Sequence, residues 1–253
     1  GIWSQVQVKK LLAAYEIPVT QPAIAQEEDE AVALANSIGF PVAIKVLSLN
    51  LTHKSDVGGV VLNVPDDDSV RDAFRLIKRR CQQQNPPIDV DGISIEPMKI
   101  DPAGRELIVG AKRDPVFGTV LMVGAGGINA ELFQDSALEL PPLNERLAMR
   151  MLESLKCWPM LQAFRGKPAV DVDRLIEVLI RISYLVANHA EIIELDINPL
   201  LVTPTDVTAL DATILGGDFP VLAKPSIEYP HLAIRPYPDR YAKVRFPATT
   251  GIG

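Results

Sequence analysis

The sequence predicts an α+β (α/β) fold made of two subdomains, and three features of its 253 residues lead to that prediction. Hydrophobic residues make up 47% of the chain and charged residues 23%, the balance of a globular protein with a sizeable core. Helical and strand-like segments alternate, but without the strict rhythm of a parallel sheet. Several strand-like segments follow one another directly, as in β-hairpins. Two α+β subdomains fit this pattern better than one doubly wound sheet.

Apolar spacing predicts the helices of the first half, with Val70, Phe74 and Ile77 on one face of the last of them. Runs rich in Val and Ile predict its strands, and the run 41–47 predicts a buried strand. Pro18 stops the first helix, Pro22 puts the first strand at a sheet edge, and Gly39 ends the second helix. The predicted elements are helix 6–15, strand 19–25, helix 27–37, strand 41–47, strand 58–64, helix 66–80 and strand 92–97. We expect residues 1–100 to form the N-terminal subdomain, with the first helix leading into it.

The second half contains more strands than helices. Its predicted elements are strands 106–112, 119–124 and 137–140, helices 145–155 and 172–188, and strands 192–197, 200–203 and 207–212. Asp171 is the expected N-cap of the second helix. After Gly216 the chain is rich in proline and loses its periodicity. We therefore expect a C-terminal subdomain at 101–224 and a linker or docking tail at 225–253.

Charge and cysteine usage narrow the functional classes. The net charge of −7 argues against a general binder of DNA, RNA or an anionic membrane, although a few lysines and a metal still suffice for a nucleotide. Cys81 and Cys157 have no closely spaced partner, so neither a disulfide framework nor a zinc site is expected. No apolar run reaches the roughly 20 residues of a membrane span, and no signal peptide is visible. These features predict a cytoplasmic protein.

Lys45 lies in the middle of the apolar segment 42–46. A lone charge inside such a strand is costly unless it is paired or faces a cleft. One interpretation is a phosphate clamp, because lysine acts as a point charge on phosphoryl oxygens. The other is an edge-strand lysine that points to water. The segment alone does not decide between them.

The segment 52–60 is polar and then rich in glycine, and it lies between two predicted strands. Gly58 and Gly59 let backbone approach a ligand, and successive N–H groups there can form an anion nest. Lys54 adds positive charge. His53 has the chemistry of a nucleophile or a general base near neutral pH. The alternative is a hairpin loop with incidental charge.

Three further segments are weaker candidates. Glu96 and Met98 lie at a strand end, where backbone can hold an adenine under an apolar side chain, or they simply end the strand. Glu106 either reaches a ribose or a metal, or is a solvated edge residue. The turn at Gly126 and Gly127 resembles a phosphate loop but lacks the GxGxxG spacing and the Walker lysine, so a tight hairpin loop is the alternative.

A cluster of oxygen-bearing side chains comes late in the chain. Asp196 and Asn198 alternate on one face of a strand end, where Pro199 is expected to end the pairing. Asp211 lies in another apolar strand, 209–212. Two adjacent strands would place these groups side by side, and such oxygen ligands suit Mg²⁺. Pairing with Lys or Arg is the alternative, but carboxylates inside apolar strands favour the metal.

Together, these segments resemble the ATP-grasp domain of the NDP-forming acyl-CoA synthetases, relatives of the succinyl-CoA synthetase β chain. The resemblance covers residues 6–215 and depends on the number and order of matching segments, since none is specific alone. The segments are 41–45, 53–60, 106–110, 113–118, 126–127 with Glu131, 194–200 and 209–212.

The resemblance implies an ATP-grasp fold, in which two α+β subdomains clamp ATP or ADP with Mg²⁺. In synthetases of this family, a histidine at the place of His53 carries a phosphoryl group between a distant phosphohistidine and the nucleotide. The implied contacts are phosphates for Lys45 and Lys54, adenine for Glu96 and Met98, ribose or phosphates for Glu106, and Mg²⁺ for Asn198 and Asp211.

The resemblance also implies partners. The family needs a CoA-binding domain, a ligase domain and a main phosphohistidine, and this sequence shows none of them. We therefore expect a partner α subunit or partner domains, a homo- or hetero-oligomer in the full-length form, and nucleotide binding without complete acyl-CoA synthesis. The alternative is a regulatory module of a protein lysine acetyltransferase, because the segment 232–238 resembles the junction into a GNAT domain.

Overall fold

The computed structural model describes residues 1–49, 51, 54–99, 101–127, 135–163 and 166–217. They form two compact units. The four-stranded unit comprises Ile2–Lys9 and Thr20–Ile100, and the six-stranded unit comprises Gly1, Lys10–Val19 and the chain from Asp101 onward. Helix α1 (Gln5–Ala14) contributes residues to both. Residues 10–19 thus belong to the six-stranded unit, although the sequence places them in the first subdomain.

The four-stranded unit contains an antiparallel sheet with the order β1-β4-β2-β3. Its strands are β1 (Ala23–Ala25), β2 (Val42–Leu47), β3 (Val60–Val64) and β4 (Gly92–Pro97). All six residues of β2 are buried, because this strand lies between two neighbours. The first strand lies at the edge, as its proline predicts.

Helices α2 (Glu28–Ile38) and α3 (Asp67–Gln82) pack together and contact this sheet. Asp66 begins α3 by accepting a hydrogen bond from the Ser69 N–H at 2.8 Å. The predicted apolar face of α3 is confirmed, and it joins alternate strand residues in one core. That core includes Val70, Phe74 and Ile77 of α3, Val42, Ile44 and Val46 of β2, and Ile93 and Ile95 of β4. The other residues of these strands, Lys45 of β2 and Glu96 of β4 included, alternate with the core residues and therefore face the other side of the sheet.

The six-stranded unit contains a second antiparallel sheet, with the order β10-β8-β5-β6-β7 and with β9 paired to β8. Its strands are β5 (Arg105–Asp114), β6 (Gly118–Ala125), β7 (Ser136–Glu139), β8 (Ile192–Val202), β9 (Val207–Ala209) and β10 (Ala212–Gly216). Its helices are α4 (Glu145–Glu153), α5 (Trp158–Leu161) and α6 (Val172–Asn188). Asp171 caps α6 as predicted, accepting the Arg174 N–H at 3.0 Å.

Alternation divides this second sheet into a covered face and an open face. The alternate residues Leu107, Val109 and Ala111 of β5 are buried, as are Leu195 and Ile197 of β8. The residues between them, which are exposed or half-buried, line the open face. Three of the candidate residues of this unit, Glu106, Asp196 and Asn198, lie on that open face.

Two sequence-based expectations about this sheet are wrong. Pro199 does not end the pairing, because β8 continues from Ile192 to Val202 as one strand. The register with β5 shifts between Leu107 and Val109, so β8 has an extra residue there, and an irregularity of this kind tolerates proline. The predicted strand 207–212 is instead divided into β9 and β10, and Asp211 lies in the gap. Within the described ranges, no helix has the length and apolar character needed to cross a bilayer.

Candidate functional site

Glu96 is the centre of a buried polar cluster in the four-stranded unit, and only 2% of this residue is exposed. Its Oε1 lies 2.9 Å from Lys9 Nζ, and its Oε2 accepts a hydrogen bond from Lys45 Nζ at 3.3 Å. The Thr20 hydroxyl donates to Oε2, and the Ser94 hydroxyl donates to Oε1 at 3.3 Å. Lys9 also donates to the Thr20 hydroxyl at 3.0 Å. One carboxylate therefore connects a lysine of helix α1 with a lysine of strand β2.

The register of the sheet explains why Lys45 meets Glu96. Lys45 stands opposite Ser94, and Ala43 stands opposite Glu96, in the antiparallel pair of β2 and β4. Lys45 and Glu96 are therefore diagonal neighbours on one face, close enough for long side chains to meet. The opposite face of both strands is apolar and belongs to the core with α2 and α3. The cluster is thus fixed by strand pairing rather than by a loop.

The pKa of Glu96 is lowered below its ordinary value of 4.5. Burial by itself would raise this pKa, but the charges of Lys45 and Lys9 and the hydrogen bond from Thr20 outweigh it. Glu96 is therefore ionised at neutral pH. An ionised acceptor makes shorter and stronger hydrogen bonds with ammonium groups than a neutral one does.

This cluster changes the interpretation of three predicted residues. Lys45 is only 8% exposed and lies in a central strand, so the edge-strand lysine that points to water is wrong. The Glu96 side chain is buried against two lysines, so the predicted adenine contact at this strand end would be made by backbone rather than by the carboxylate. The Met98 N–H donates to the Pro41 carbonyl at 3.1 Å. An adenine bound here would therefore have to form its hydrogen bond with another backbone group. Phosphate contact by Lys45 stays a prediction.

The loop at 54–59 is a tight turn against β2. The Gly59 N–H donates to the carbonyl of the buried Lys54 at 2.8 Å, and the Gly58 N–H donates to the Ser55 carbonyl at 3.0 Å. Both donors are used within the turn, so the predicted anion nest is wrong for these two N–H groups. Gly58 has φ 65°, and a Cβ on Gly59 would lie 2.5 Å from Val46 Cγ1. The glycines therefore permit the turn itself.

Helix α3 secures this turn through Arg80, which the sequence did not single out. Its Nη1 donates to the Gly58 carbonyl at 3.0 Å. A Cβ on Gly58 would lie 2.7 Å from the same nitrogen, so the guanidinium lies directly against the turn. His53 lies outside the described residues, and its catalytic role stays a prediction.

Glu106 and the glycine turn meet in the six-stranded unit. The Gly126 N–H donates to the Glu106 carbonyl at 2.8 Å, and a Cβ on Gly126 would lie 2.8 Å from that carbonyl carbon. Gly127 has φ 71°, and a Cβ there would lie 3.3 Å from Glu106 Oε2. Glycine is therefore required where the turn passes against β5, which places the turn beside an exposed carboxylate. Glu131 lies outside the described residues.

A cavity of about 300 Å³ opens beside Glu106 in the same unit. Strand residues Leu107 and Ala125 and helix residues Met160 and Leu161 give it mainly apolar walls. Asp135 is also in the wall, and its carboxylate accepts the N–H groups of Lys156 at 2.6 Å and Cys157 at 2.7 Å. Its pKa is lowered because these hydrogen bonds outweigh burial. Burial, followed by the hydrogen bond with Asp135, raises the pKa of Cys157 to about 12, so this thiol stays neutral.

The expected metal ligands are neighbours on the second sheet. The Asn198 N–H donates to the Asp211 carbonyl at 3.1 Å, next to the registered pair Ile197 and Ala212. Asp196 lies two residues along β8, on the same face as Asn198. Asp211 Oδ1 accepts the Ala212 N–H at 2.9 Å, which fixes the carboxylate beside the strand. The structure therefore brings together the three residues that the sequence selected.

The chemistry of this donor set suits Mg²⁺. Asp196 and Asp211 supply carboxylate oxygens and Asn198 supplies an amide oxygen. Mg²⁺ uses one or two protein carboxylates and leaves its other positions to water and phosphate. Among the described residues, no group of three or more His, Cys, Asp or Glu side chains could hold a metal. A metal bound by these residues would share its other positions with a ligand's oxygens and water, and their metal role stays a prediction.

Lys9, Thr20 and Ser94 are the residues of the cluster that sequence reasoning missed. Lys9 is 3% exposed, and Val8 and Leu12 of the same helix are fully buried. The available signal was the position of Lys9 on the apolar side of the helix, next to Val8 and Leu12. In the structure its neighbour Lys10 is exposed. Thr20 gave no such signal, since an isolated hydroxyl after a helix is common.

Comparison with known proteins identifies the domain. Residues 1–215 match the family described as an ATP-grasp domain. The β subunit of acetate–CoA ligase (ADP-forming) I from Pyrococcus furiosus is 36% identical over 209 residues, which cover 83% of this chain and 89% of that subunit. Other curated relatives are longer, and this chain spans only 28–30% of their length.

Solved structures agree with this similarity. One is the dinucleotide-forming acetyl-coenzyme A synthetase 1 of Ca. Korarchaeum cryptofilum with coenzyme A and Ca-AMPCP, at 36% identity and a TM-score of 0.81, covering 85% of this chain and 93% of that one. Another structure of that enzyme contains coenzyme A and Mg-AMPPCP, with the phosphohistidine segment pointing towards the nucleotide binding site. It has 35% identity and a TM-score of 0.70 over the same shares.

Proposed function

This chain belongs to the ATP-grasp domain family, and from that premise we propose that it binds ATP or ADP with Mg²⁺ as the nucleotide-handling part of an ADP-forming acyl-CoA synthetase. The phosphoryl group of a phosphohistidine, supplied by a partner subunit or domain, is transferred to ADP. In the first transfer the P–N bond to that histidine breaks and a P–N bond to His53 forms. In the second transfer the P–N bond to His53 breaks and a P–O bond to the β-phosphate of ADP forms. One proton from solvent replaces the phosphoryl group, so the products are ATP and neutral histidines. His53 is the proposed relay for this group.

The pairing of Asn198 with Asp211 supports the proposal most directly. A backbone hydrogen bond of 3.1 Å joins the two residues, and Asp196 lies on the same face of β8. An amide and two carboxylates so arranged suit Mg²⁺ that also binds phosphate oxygens. A bound Mg²⁺ supplies neutralisation of the charge that develops on the phosphates.

Two lysines are the proposed phosphate contacts. Lys45 is held by an ionised carboxylate within a central strand, so its ammonium group has a defined position before any ligand arrives. Lys54 is buried in the turn that Arg80 secures. Glu106, beside the glycine turn at Gly126, is the proposed ribose or phosphate contact. Adenine is proposed to lie near Glu96 and Met98, contacting the strand through groups other than the Met98 N–H.

The relatives support an acyl-CoA synthetase rather than the alternative. The proteins from Pyrococcus furiosus and Ca. Korarchaeum cryptofilum are an acetate–CoA ligase subunit and an acetyl-coenzyme A synthetase, and neither is a lysine acetyltransferase. The segment 232–238, which motivated the acetyltransferase alternative, lies outside the described residues. A partner α subunit or domain with the CoA site therefore fits this chain better than a GNAT domain.

Calorimetry and a coupled assay test the proposal. We expect the chain to bind Mg-ATP and Mg-ADP, and to form ATP from ADP when an α subunit, acyl-CoA and phosphate are added. Asp173→Asn, at an exposed position of α6, is a matched control for Asp211→Asn. The control should behave like the unaltered chain, whereas Asp211→Asn should lose the dependence of binding on Mg²⁺. Absence of both nucleotide binding and ATP formation would refute the proposal.

A further inference from the structure

We infer that Lys9 is a positioning residue of the nucleotide site, which acts through Glu96 and Thr20 to fix the ammonium group of Lys45. The inference depends on the proposed function, because it takes Lys45 as a contact of the nucleotide phosphates. Lys9 belongs to helix α1 and is remote in sequence from every residue that is predicted to contact the nucleotide.

The contacts form a continuous chain from Lys9 to Lys45. Lys9 Nζ lies 2.9 Å from Glu96 Oε1 and donates to the Thr20 hydroxyl at 3.0 Å. That hydroxyl donates to Glu96 Oε2, the same oxygen that accepts from Lys45 Nζ at 3.3 Å. The two carboxylate oxygens thus have different partners, with Lys9 on Oε1 and Lys45 on Oε2. Lys9 and Thr20, with the longer contact from the Ser94 hydroxyl to Oε1 at 3.3 Å, fix which way the carboxylate is turned.

The burial of this chain of contacts makes Lys9 necessary. Glu96 and Lys9 are 2% and 3% exposed, so water does not take the place of a lost partner. The charge of Lys9 is one of the two that keep the pKa of Glu96 low. Without it, a single lysine would have to compensate a buried carboxylate, and Glu96 would turn both oxygens toward Lys45 or take up a proton. Either change alters the position or the effective charge of the Lys45 ammonium group.

Lysine needs this kind of support in order to bind phosphate with a defined geometry. Its ammonium group is at the end of a flexible four-carbon chain, and holding that chain in one rotamer costs entropy on binding. A site in which the rotamer is already fixed avoids that cost. Lys9 does not need to touch the nucleotide for its loss to weaken phosphate binding.

The test compares ligands with and without phosphates. Mg-ATP is titrated calorimetrically into the full chain and into Lys9→Met, and adenosine binding is followed by ligand-observed NMR. We expect Lys9→Met to weaken Mg-ATP by roughly tenfold or more, the usual order for breaking a buried charge contact, and adenosine by less than about twofold. Lys10→Met is the matched control, since Lys10 is the next residue and is exposed. It should leave both affinities unchanged.

A second variant guards against a fold defect in Lys9→Met. Thr20→Val keeps the shape of the side chain but removes the hydroxyl that contacts both Lys9 and Glu96. Like Lys9→Met, it should lower the ratio of Mg-ATP affinity to adenosine affinity. An unchanged ratio in Thr20→Val and in a folded Lys9→Met, or an equal loss for both ligands, overturns the inference alone. An unaltered chain that binds no Mg-ATP overturns the proposed function and this inference with it.

Discussion

Replacing Glu96 with glutamine removes the one carboxylate that two buried lysines share. Removing a single partner from a buried ion pair destabilises a protein by about 3–5 kcal/mol, because a charge stays behind in a poorly hydrated place. The side chains of Lys9 and Lys45 are 3% and 10% exposed, so hydration can recover little at Lys9 and somewhat more at Lys45. Glutamine keeps the shape but not the charge, and we expect the free energy of unfolding to fall by about 3–5 kcal/mol.

Equilibrium urea unfolding followed by circular dichroism measures this loss at pH 7. Glu27→Gln is the control, because Glu27 is exposed in the same unit and its side chain makes no cap hydrogen bond. It should change the free energy of unfolding by less than about 0.5 kcal/mol. A loss below about 1 kcal/mol for Glu96→Gln would contradict the reasoning, since the lysines would then not depend on the carboxylate.

The difference in stability between the unaltered chain and Glu96→Gln should depend on pH. Folding lowers the pKa of Glu96 from 4.5, chiefly through Lys45 and Lys9, whose charges outweigh burial. The ionised carboxylate therefore adds stability that is present above the pKa of the unfolded chain and is lost as pH falls through the lower folded pKa. The stability difference between the unaltered chain and Glu96→Gln should be constant from about pH 6 to 8, above that unfolded pKa, and should shrink below it. A difference that stays constant into strong acid would contradict the lowered pKa.

Three further predictions concern the six-stranded unit. Asp211→Asn should weaken nucleotide binding by roughly tenfold or more in the presence of Mg²⁺ but not in EDTA, which calorimetry under both conditions would show. Gly126→Ala should destabilise the fold by about 2–3 kcal/mol in thermal unfolding, because the added Cβ meets the Glu106 backbone. Gly118→Ala, in open space at φ 76°, should lose only about 1 kcal/mol, so an equal loss for both glycines would contradict the close approach. Cys157, with its pKa raised to about 12, should react with a thiol reagent at pH 8 more than about a hundredfold slower in the native chain than after unfolding.

Local pattern was sufficient to predict most of the fold. The apolar run at 41–47 predicted a buried strand, and β2 is buried throughout. Pro22 predicted an edge strand, and β1 lies at the edge. The spacing of Val70, Phe74 and Ile77 predicted the packed face of α3. These features depend on residues close in sequence, where periodicity and turn chemistry are informative.

The predictions failed where distant residues decide the outcome. Glu96 lies near the end of β4, as predicted, but local pattern could not reveal that its side chain meets Lys9 and Thr20, the latter 76 residues away. Pro199 looked like the end of a strand because proline cannot donate to a sheet. An irregular register against β5 accommodates it, and no local pattern reveals such a register.

The candidate metal residues are an intermediate case. Asp196, Asn198 and Asp211 were selected because oxygen-bearing side chains interrupt apolar strands, and the antiparallel pairing brings them together. The sequence did not predict that Asp211 lies between two short strands rather than inside one. Placement in the gap makes its backbone carbonyl the acceptor for the Asn198 N–H, which only the three-dimensional pairing could show.

The interleaved course of the chain limits how far the four-stranded unit can be used as a portable module. A fragment beginning at Thr20 would contain all four strands and both covering helices, and by secondary structure it would look complete. It would nevertheless lack Lys9, and Glu96 would lose a partner 2.9 Å away. Trimming a terminus would thus have the consequence of an interior charge substitution, so domain boundaries for this protein are better drawn around its ion pairs than around its sheet.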